Sequence, residues 1–266
     1  MKDTVLMQEL SWPEIQAAHD AGKTTAILAC GAVEQHGPHL PTGTDDYLGT
    51  AMAERAARLA GDALVAPTLR PGLSEHHMHF PGSFTLRPST FVALLEDYCH
   101  SLARQGFRRI VVFASHGGNT DSIRACAPTL ARELYPECEL VAVVGGEWFG
   151  RVIATLMERD IPLGRSGVHA GFAETSMMLS YRGDLVEMEL AEPGRCDEEF
   201  YLPENVAKSQ MDSFIHGIQT QSPNGVLGDP VGSTAEIGEE LIQAAGLALA
   251  EIMRRTPVST AQPSGV

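Results

Sequence analysis

The apolar positions of the chain fall into short continuous runs, separated by longer stretches in which apolar residues recur at helical spacing. Four runs are bounded by turn residues, which is typical of strands buried on both faces of a parallel sheet. They cover residues 24–30, 63–66, 107–114 and 140–144. The third run is the clearest, with Arg-Arg-Ile-Val-Val-Phe at its centre. We therefore predict four central strands.

Between and after these runs, the pattern predicts helices. Ser11 and Glu14 have the spacing of a capping box with a proline in the first turn, which marks a helix start. Leu48, Met52 and Ala56 recur on one helical face. The predicted helices cover 11–22, 46–60, 88–105, 121–135, 151–159, a segment that opens at 168–176, and 232–255. The acidic stretch 184–224 carries few clear signals.

The alternation of strands and helices determines the fold class. It predicts an α/β fold with a mostly parallel central sheet that is covered by helices on both faces. In open sheets of this kind, ligands bind beyond the carboxyl ends of the strands. Functional side chains are therefore expected on the loops that follow the strands.

Composition narrows the class of protein. A chain of 266 residues with 44% hydrophobic content can bury one large core, and we assign residues 1–256 to a single domain and 257–266 to a disordered tail. The formal charge of -15, from 19 Lys+Arg and 34 Asp+Glu, argues against a nucleic-acid partner.

The cysteines and the N-terminal residues indicate the cellular compartment of the protein. Five cysteines without a close pairing motif favour a reducing compartment. The N-terminus lacks the basic and apolar regions of a signal peptide, and no apolar run reaches spanning length. We expect a cytoplasmic protein with no membrane partner.

Candidate chemistry is concentrated in the segment 31–46, directly after the first predicted strand. Its ligand-type residues are Glu34, His36, His39, Asp45 and Asp46. Carboxylates and imidazoles are the ligands of divalent transition metals. A polar surface loop is the alternative for any one of these residues. Their density after an apolar strand favours a metal site.

Two further loops carry ligand-type residues. The Gly/Pro-rich loop 71–86 contains Glu75, His76, His77 and His79. His116 follows the third strand and precedes two glycines. Ser115 beside it is not a serine-hydrolase nucleophile, because the Gly-x-Ser-x-Gly elbow is absent. We interpret His116 as a metal ligand and Asn119 as its supporting or helix-capping residue.

A fourth segment, 168–176, contains His169 and Glu174 among small residues. Small neighbours would let a metal approach the backbone closely. An ordinary helix start with an acidic first turn explains the same pattern equally well. The sequence leaves these two interpretations open.

Taken together, the motifs resemble the creatininase (creatinine amidohydrolase) family over nearly the whole chain. The matching stretches are GAVEQHGPHLPTGTD at 31–45, EHHMHFPGSFTL at 75–86, SHGGN at 115–119, HAGFAETS at 169–176 and GDPVGSTAEIG at 228–238. The resemblance implies a three-layer α/β/α fold, a homohexamer and a small-molecule substrate. It also implies two divalent metals (zinc, manganese or iron), bridged by an aspartate and a hydroxide.

The resemblance also implies roles for individual residues. The metal ligands would be Glu34, His36, Asp45, His116 and Glu174. Asp45 would bridge the two metals, and His169 would be the catalytic acid/base. Creatininase has Tyr-Glu after its equivalent of His116, where this chain has Gly117-Gly118. The ligand role of that glutamate therefore passes to Glu174.

The same comparison suggests which residues contact the substrate. They are Arg165, Trp148, His79 and Glu75. Arg165 replaces a tryptophan that stacks on creatinine in creatininase, and Trp148 matches a second aromatic wall. A guanidinium suits carboxylate or phosphate, so Arg165 predicts an anionic or richly hydroxylated substrate. The alternative is that Arg165 pairs with a surface carboxylate.

We therefore predict a metal-dependent amidohydrolase that cleaves a non-peptide, cyclic amide C–N bond. Alternatives within the family are a formamide deformylase, a keto-sugar hydrolase and a peptidase of mycofactocin maturation. An alternative of another class is a non-catalytic metal- or metabolite-binding protein on the same scaffold.

Overall fold

A computed structural model of the chain describes residues 2–144 and 146–255. Its centre is a four-stranded, all-parallel sheet in the order β2-β1-β3-β4. The strands are β1 Thr25–Cys30, β2 Ala63–Val65, β3 Arg109–Ala114 and β4 Glu139–Val143. Strands β1 and β3 are buried along their whole length, as expected for central strands covered on both faces.

The connections between the strands determine which helices cover which face. The first five helices are α1 Trp12–Asp20, α2 Thr44–Ala60, α3 Pro88–Arg104, α4 Thr120–Leu134 and α5 Glu147–Met157. Parallel strands are joined by right-handed crossovers. The step from β1 to β2 runs in one direction along the sheet, and the steps to β3 and β4 run in the other. Helix α2 therefore covers one face, and α3 and α4 cover the opposite face.

Four helices follow in the C-terminal part: α6 Leu163–Ser166, α7 Phe172–Arg182, α8 Pro203–His216 and α9 Ala235–Arg255. Helix α9 packs against α2, α5 and α7. This packing extends the layer on the α2 side of the sheet. The predicted α/β class with a parallel sheet between helices is confirmed.

Most predicted elements occur within a few residues of their expected positions, and two differ in informative ways. Helix α2 begins at Thr44 instead of Asp46, which places Asp45 in its first turn and not in the preceding loop. Helix α8 lies in the stretch that carried few signals. The predicted disordered tail at 257–266 lies outside the described residues. In the part of the chain that the structure describes, no helix has both the length and the apolarity needed to cross a membrane.

Candidate metal centre

The site forms where β1 and β3 end side by side. Cys30 and Ala114 are paired in register at the last position of the two strands, so both following loops leave from the same edge. The side chain of Asn119 ties these loops together. Its amide donates to the carbonyls of Cys30 and Gly31 at 3.0 and 2.9 Å, and its oxygen accepts the Leu73 N–H at 3.0 Å. Asn119 therefore has a supporting role.

Close packing at this edge requires small residues. A Cβ atom at Gly31 would lie 3.1 Å from the backbone of Asp45 and Asp46. A Cβ at Gly72 would lie 2.6 Å from the Gly31 carbonyl oxygen. The Ser115 hydroxyl donates to the Asp45 carbonyl at 2.8 Å. These contacts hold the start of α2 against the ends of β1 and β3.

All five predicted ligand residues come together here, from three separate segments of the chain. Asp45 is central. Its Oδ1 lies 3.6 Å from His36 Nε2, and its Oδ2 lies 3.3 Å from His116 Nδ1. Glu34 Oε1 is 3.3 Å from His116 Nδ1, and Glu174 Oε2 is 3.7 Å from His36 Nε2. The two histidines therefore lie on opposite sides of one carboxylate.

Hydrogen bonds at the far side of each imidazole determine which nitrogen faces this cluster. His36 Nδ1 lies 3.1 Å from the Glu34 carbonyl, and His116 Nε2 lies 3.0 Å from the Leu73 carbonyl. A carbonyl only accepts, so each of these nitrogens carries the hydrogen. In the neutral imidazoles, His36 Nε2 and His116 Nδ1 therefore present lone pairs to the carboxylates. Carbonyl partners of this kind are typical of metal-binding histidines.

Lone pairs that face one another in a buried site require a positive charge between them. In the described part of the chain, His36 Nε2, Glu34 Oε2 and Asp45 Oδ2 are buried without a hydrogen-bond partner. Buried polar atoms left unpaired in this way are costly. Carboxylate oxygens and imidazole nitrogens are also the donor set of a divalent transition metal. The residues present therefore fit such an ion.

Four groups of three side chains among the described residues have ligand atoms within 4.8 Å of one another. They are Glu34/Asp45/His116, His36/Asp45/Glu174, Glu34/His36/His169 and Glu34/His76/His77. The first two share Asp45 and together contain all five predicted ligands. The other two bring in histidines to which the motif match gave no ligand role.

The electrostatics of the cluster agree with a demand for positive charge. Burial disfavours a charged His36, but Asp45 and Glu174 outweigh that effect and raise the pKa of His36 to about 9. Burial opposes ionisation of Asp45, but His36 and His116 hold its pKa well below the usual range. Burial raises the pKa of Glu174 to about 7. A buried group of acids and bases of this kind can be satisfied by protons or by metal cations.

His169 lies beside the cluster. Its Nε2 is 2.8 Å from the Gln35 carbonyl and therefore carries the hydrogen. Its Nδ1 faces inward, 3.7 Å from Glu34 Oε1. Burial, and then the neighbouring His36, hold the pKa of His169 well below its usual value. Next to it, Ala170 has a positive φ of 55°, and its N–H donates to Glu174.

His77 is a site residue that the motif match left without a role. Its Nε2 lies 3.3 Å from Glu34 Oε1, and the side-chain amide of Gln35 contacts its Nδ1 at 2.9 Å. That amide also donates to the Gly225 carbonyl, and its oxygen accepts the Gly37 N–H. The amide nitrogen therefore donates to Nδ1, and the hydrogen of His77 lies on Nε2. His77 accordingly donates to Glu34 and is a support for that ligand.

The predicted substrate contacts are only partly brought to the site. Trp148 lines a cavity with Asp45, His116 and Glu174. Glu75 and His79 are exposed. The 3-10 turn at 75–77 directs His76 and His77 inward instead. Among the described residues, Glu75 and His79 line neither of the cavities beside the cluster, so their predicted contact with substrate gains no support.

Arg165 also lies away from both cavities beside the cluster, so the structure does not support its predicted contact with substrate. Its guanidinium donates to the Val231 carbonyl at 2.7 Å and lies over the Phe172 ring, 4.6 Å from the centroid. The alternative of a surface carboxylate is not seen either, because these partners are a carbonyl and an aromatic ring.

The two remaining ligand-type residues of the first loop, Asp46 and His39, belong to none of the four groups of ligand atoms. Asp46 pairs with Arg70. His39 is buried, with its Nε2 2.9 Å from the Thr175 hydroxyl, and burial, followed by nearby His36, lowers its pKa to about 4. The larger depression of about 770 Å³ at residues 195–221 contains none of the five predicted ligands.

Fold and site together define a metalloprotein with a divalent-cation centre at the carboxyl edge of a parallel α/β sheet. Comparison with known proteins then identifies the family. The family model described as creatininase, creatinine amidohydrolase, matches residues 8–253, and the chain belongs to this family. The family predicted from the motifs is confirmed, and with it the class of metal-dependent amidohydrolase.

Individual relatives match this chain over most of their own length. The chain is 34% identical over 199 residues to the creatinine amidohydrolase of Pseudomonas putida, covering 71% of this chain and 76% of the relative. It is 31% identical over 220 residues to the mycofactocin precursor peptide peptidase of Mycolicibacterium smegmatis, covering 81% and 78%. A solved structure named "Creatininase Mn" superposes with a TM-score of 0.77 at 28% identity, covering 95% of this chain and 98% of that one.

Proposed function

We propose that the protein hydrolyses an amide C–N bond of a small molecule at two divalent cations held by the buried cluster. The ligands would be Glu34, His36, Asp45, His116 and Glu174. The observation that carries this proposal is the placement of Asp45, whose two oxygens face different histidines at 3.6 and 3.3 Å. A carboxylate in that position can bridge two cations.

Each side chain of the proposed cluster has a distinct task. Divalent cations bound there would polarise a substrate carbonyl and lower the pKa of a bound water to about 7. Glu34 and His116 would hold one cation with one Asp45 oxygen. His36 and Glu174 would hold the other with the second oxygen. No protein nucleophile is needed, which agrees with the absence of a nucleophile elbow at Ser115.

His169 is the proposed acid/base. Its Nε2 hydrogen is committed to the Gln35 carbonyl at 2.8 Å, so the Nδ1 that faces the cluster is the atom able to take up a proton and pass it on. Delivery of that proton to the departing nitrogen would allow the C–N bond to break. The cavity that His169 shares with Trp148 has room for the leaving group.

The donor set supports a choice of metal. A mixture of imidazole nitrogen and carboxylate oxygen suits zinc, manganese or iron, and the name of one related structure includes manganese. We propose two such ions per chain, in cytoplasmic protein. The five free thiols support the reducing compartment.

We also propose a homohexamer. Helix α8 exposes Met211, Phe214 and Ile215, whose side chains have relative exposures of 59%, 39% and 65%. Apolar groups clustered on one exposed helix are typical of contacts between subunits.

The role of His169 can be tested against the alternative that it is a metal ligand, which the Glu34/His36/His169 group permits. We expect His169→Ala to keep its metal and to lose about 10²–10⁴-fold in turnover, as typical of a general acid/base. Elemental analysis and kinetics on the same preparation provide both readouts. A parallel fall in metal content would make His169 a ligand.

Metal binding without hydrolysis of any amide by the parent protein would favour a non-catalytic binding protein.

A further inference from the structure

Two separate cavities reach the proposed metal centre from different sides. One, of about 290 Å³, includes Asp45, Glu174 and Trp148. The other, of about 220 Å³, includes Glu34, Phe200 and Ile218. Each contains ligands that the other lacks. A substrate held at the centre therefore has space for a substituent in two directions.

The two cavities have one boundary in common. Four residues line both of them: His116, Gly117, Val168 and His169. Gly117 is the smallest of the four, and a Cβ atom added there would meet no heavy atom within 4 Å. This position therefore has free space beside it for a larger side chain. At the adjacent Gly118, by contrast, an added Cβ would clash with the Leu73 carbonyl oxygen.

Both cavities expose more apolar than polar surface, although Ser209, Ser213 and Gln221 line the smaller one and Ser115 and Thr120 line the larger one. No lysine or arginine lines either cavity among the described residues. Trp148 and Phe149 give the larger cavity an aromatic wall. Because no cationic side chain in the described ranges lines these walls, an anionic substituent would find no partner there.

We propose that the substrate is a neutral amide with an apolar substituent on each side of the scissile C–N bond, one in each cavity. The aromatic or larger group lies against Trp148, and the second group enters the cavity lined by Phe200 and Ile218. This inference rests on the proposed function. It replaces the compact cyclic amide and the anionic group predicted from sequence.

The test uses two amides with the same leaving side and different acyl groups, N-benzylacetamide and N-benzylbutanamide. Two additional methylenes in an apolar pocket are worth about tenfold or more in affinity. We expect the metal-loaded protein to bind the butanamide at least tenfold more tightly in calorimetry. Binding is measured separately from turnover.

Gly117→Leu fills the junction between the cavities and should reduce that preference to less than about twofold. Gly150→Leu is the matched control, because a Cβ atom added at Gly150 would also meet no heavy atom within 4 Å and this glycine lines a different surface depression. It should retain the full preference. Circular dichroism and metal content establish that each variant is folded and loaded.

Equal binding of both amides by the parent protein would overturn the proposal. So would a Gly117→Leu variant that keeps the full preference for the longer acyl group. If the preference is present but no amide is hydrolysed, the proposed function fails while the two-sided site stands. If amides are hydrolysed but the longer acyl group is not preferred in binding, the two-sided site fails while the proposed function stands.

Discussion

The two histidine-rich loops of the protein make an instructive comparison. In the first loop, 31–46, every one of the five ligand-type side chains is buried. In the second, 71–86, His77 is buried and contacts Glu34, whereas Glu75 and His79 are exposed. The residue types alone are similar in the two loops. What differs is how each backbone leaves the sheet.

The first loop follows β1 without a break, and β1 is a central strand. It therefore enters the protein at the carboxyl edge and runs directly into α2. The second loop begins several residues after β2, which is an edge strand, and it makes a 3-10 turn at 75–77. In such a turn, successive side chains point in different directions. A ligand-rich composition predicts a site only where the backbone holds it against the sheet edge.

The largest expected effect is a difference in metal affinity between variants of two neighbouring residues in the first loop. Asp45→Asn should lower metal affinity by more than about 100-fold, since even supporting residues cost 10–100-fold. Asp46→Asn is the control, because Asp46 pairs with Arg70 outside the cluster, and it should bind metal within about threefold of the parent protein. Titration of metal-free protein with zinc or manganese gives both affinities. Equal losses would mean that Asp45 is not a ligand.

A second pair tests the second loop. His77→Ala should weaken metal binding by about tenfold or more, because it removes the hydrogen bond to Glu34. His79→Ala should leave the affinity unchanged, since its ring is exposed and contacts Phe80. The same titration is the measurement. An effect at His79 as large as that at His77 would contradict the distinction between inward and outward histidines.

The smallest effect concerns Arg165. Loss of its contact with Phe172 and its hydrogen bond to Val231 should cost about 1 kcal/mol of stability, or about 2–4 °C in Tm. Arg165→Met preserves the length of the side chain and should change kcat/KM less than threefold. Thermal melting measures the change in Tm, and kinetics measures the change in kcat/KM. An unchanged Tm together with a large loss of activity on acidic amides would restore Arg165 as a substrate contact.

The sequence predicted the strands and most helices because central strands are apolar runs and the helices have clear periodicity. It also supplied the five candidate ligands through motif resemblance. It missed the start of α2 at Thr44, because Gly43 at the helix start gives no side-chain capping signal. That detail matters, since it places Asp45 on the first helical turn.

Other features were beyond the sequence because they depend on pairs of residues far apart in the chain. The role of His77 follows from contacts with Gln35 and Glu34, about 40 residues away. Similarly, both cavities are lined by Gly117 and Val168, which lie far apart in the chain. Arg165 lies only four residues before His169 in the chain, but closeness in sequence does not decide where its side chain points. A short helix directs its side chain to Phe172 instead.

The most direct test of the metal centre is anomalous scattering from crystals of protein purified without chelator, recorded on both sides of the zinc and manganese absorption edges. Two peaks per chain are expected. One should lie between Glu34, Asp45 and His116, and the other between His36, Asp45 and Glu174. Absence of both peaks, even after soaking with zinc or manganese, would contradict the account, as would metal bound only elsewhere on the chain.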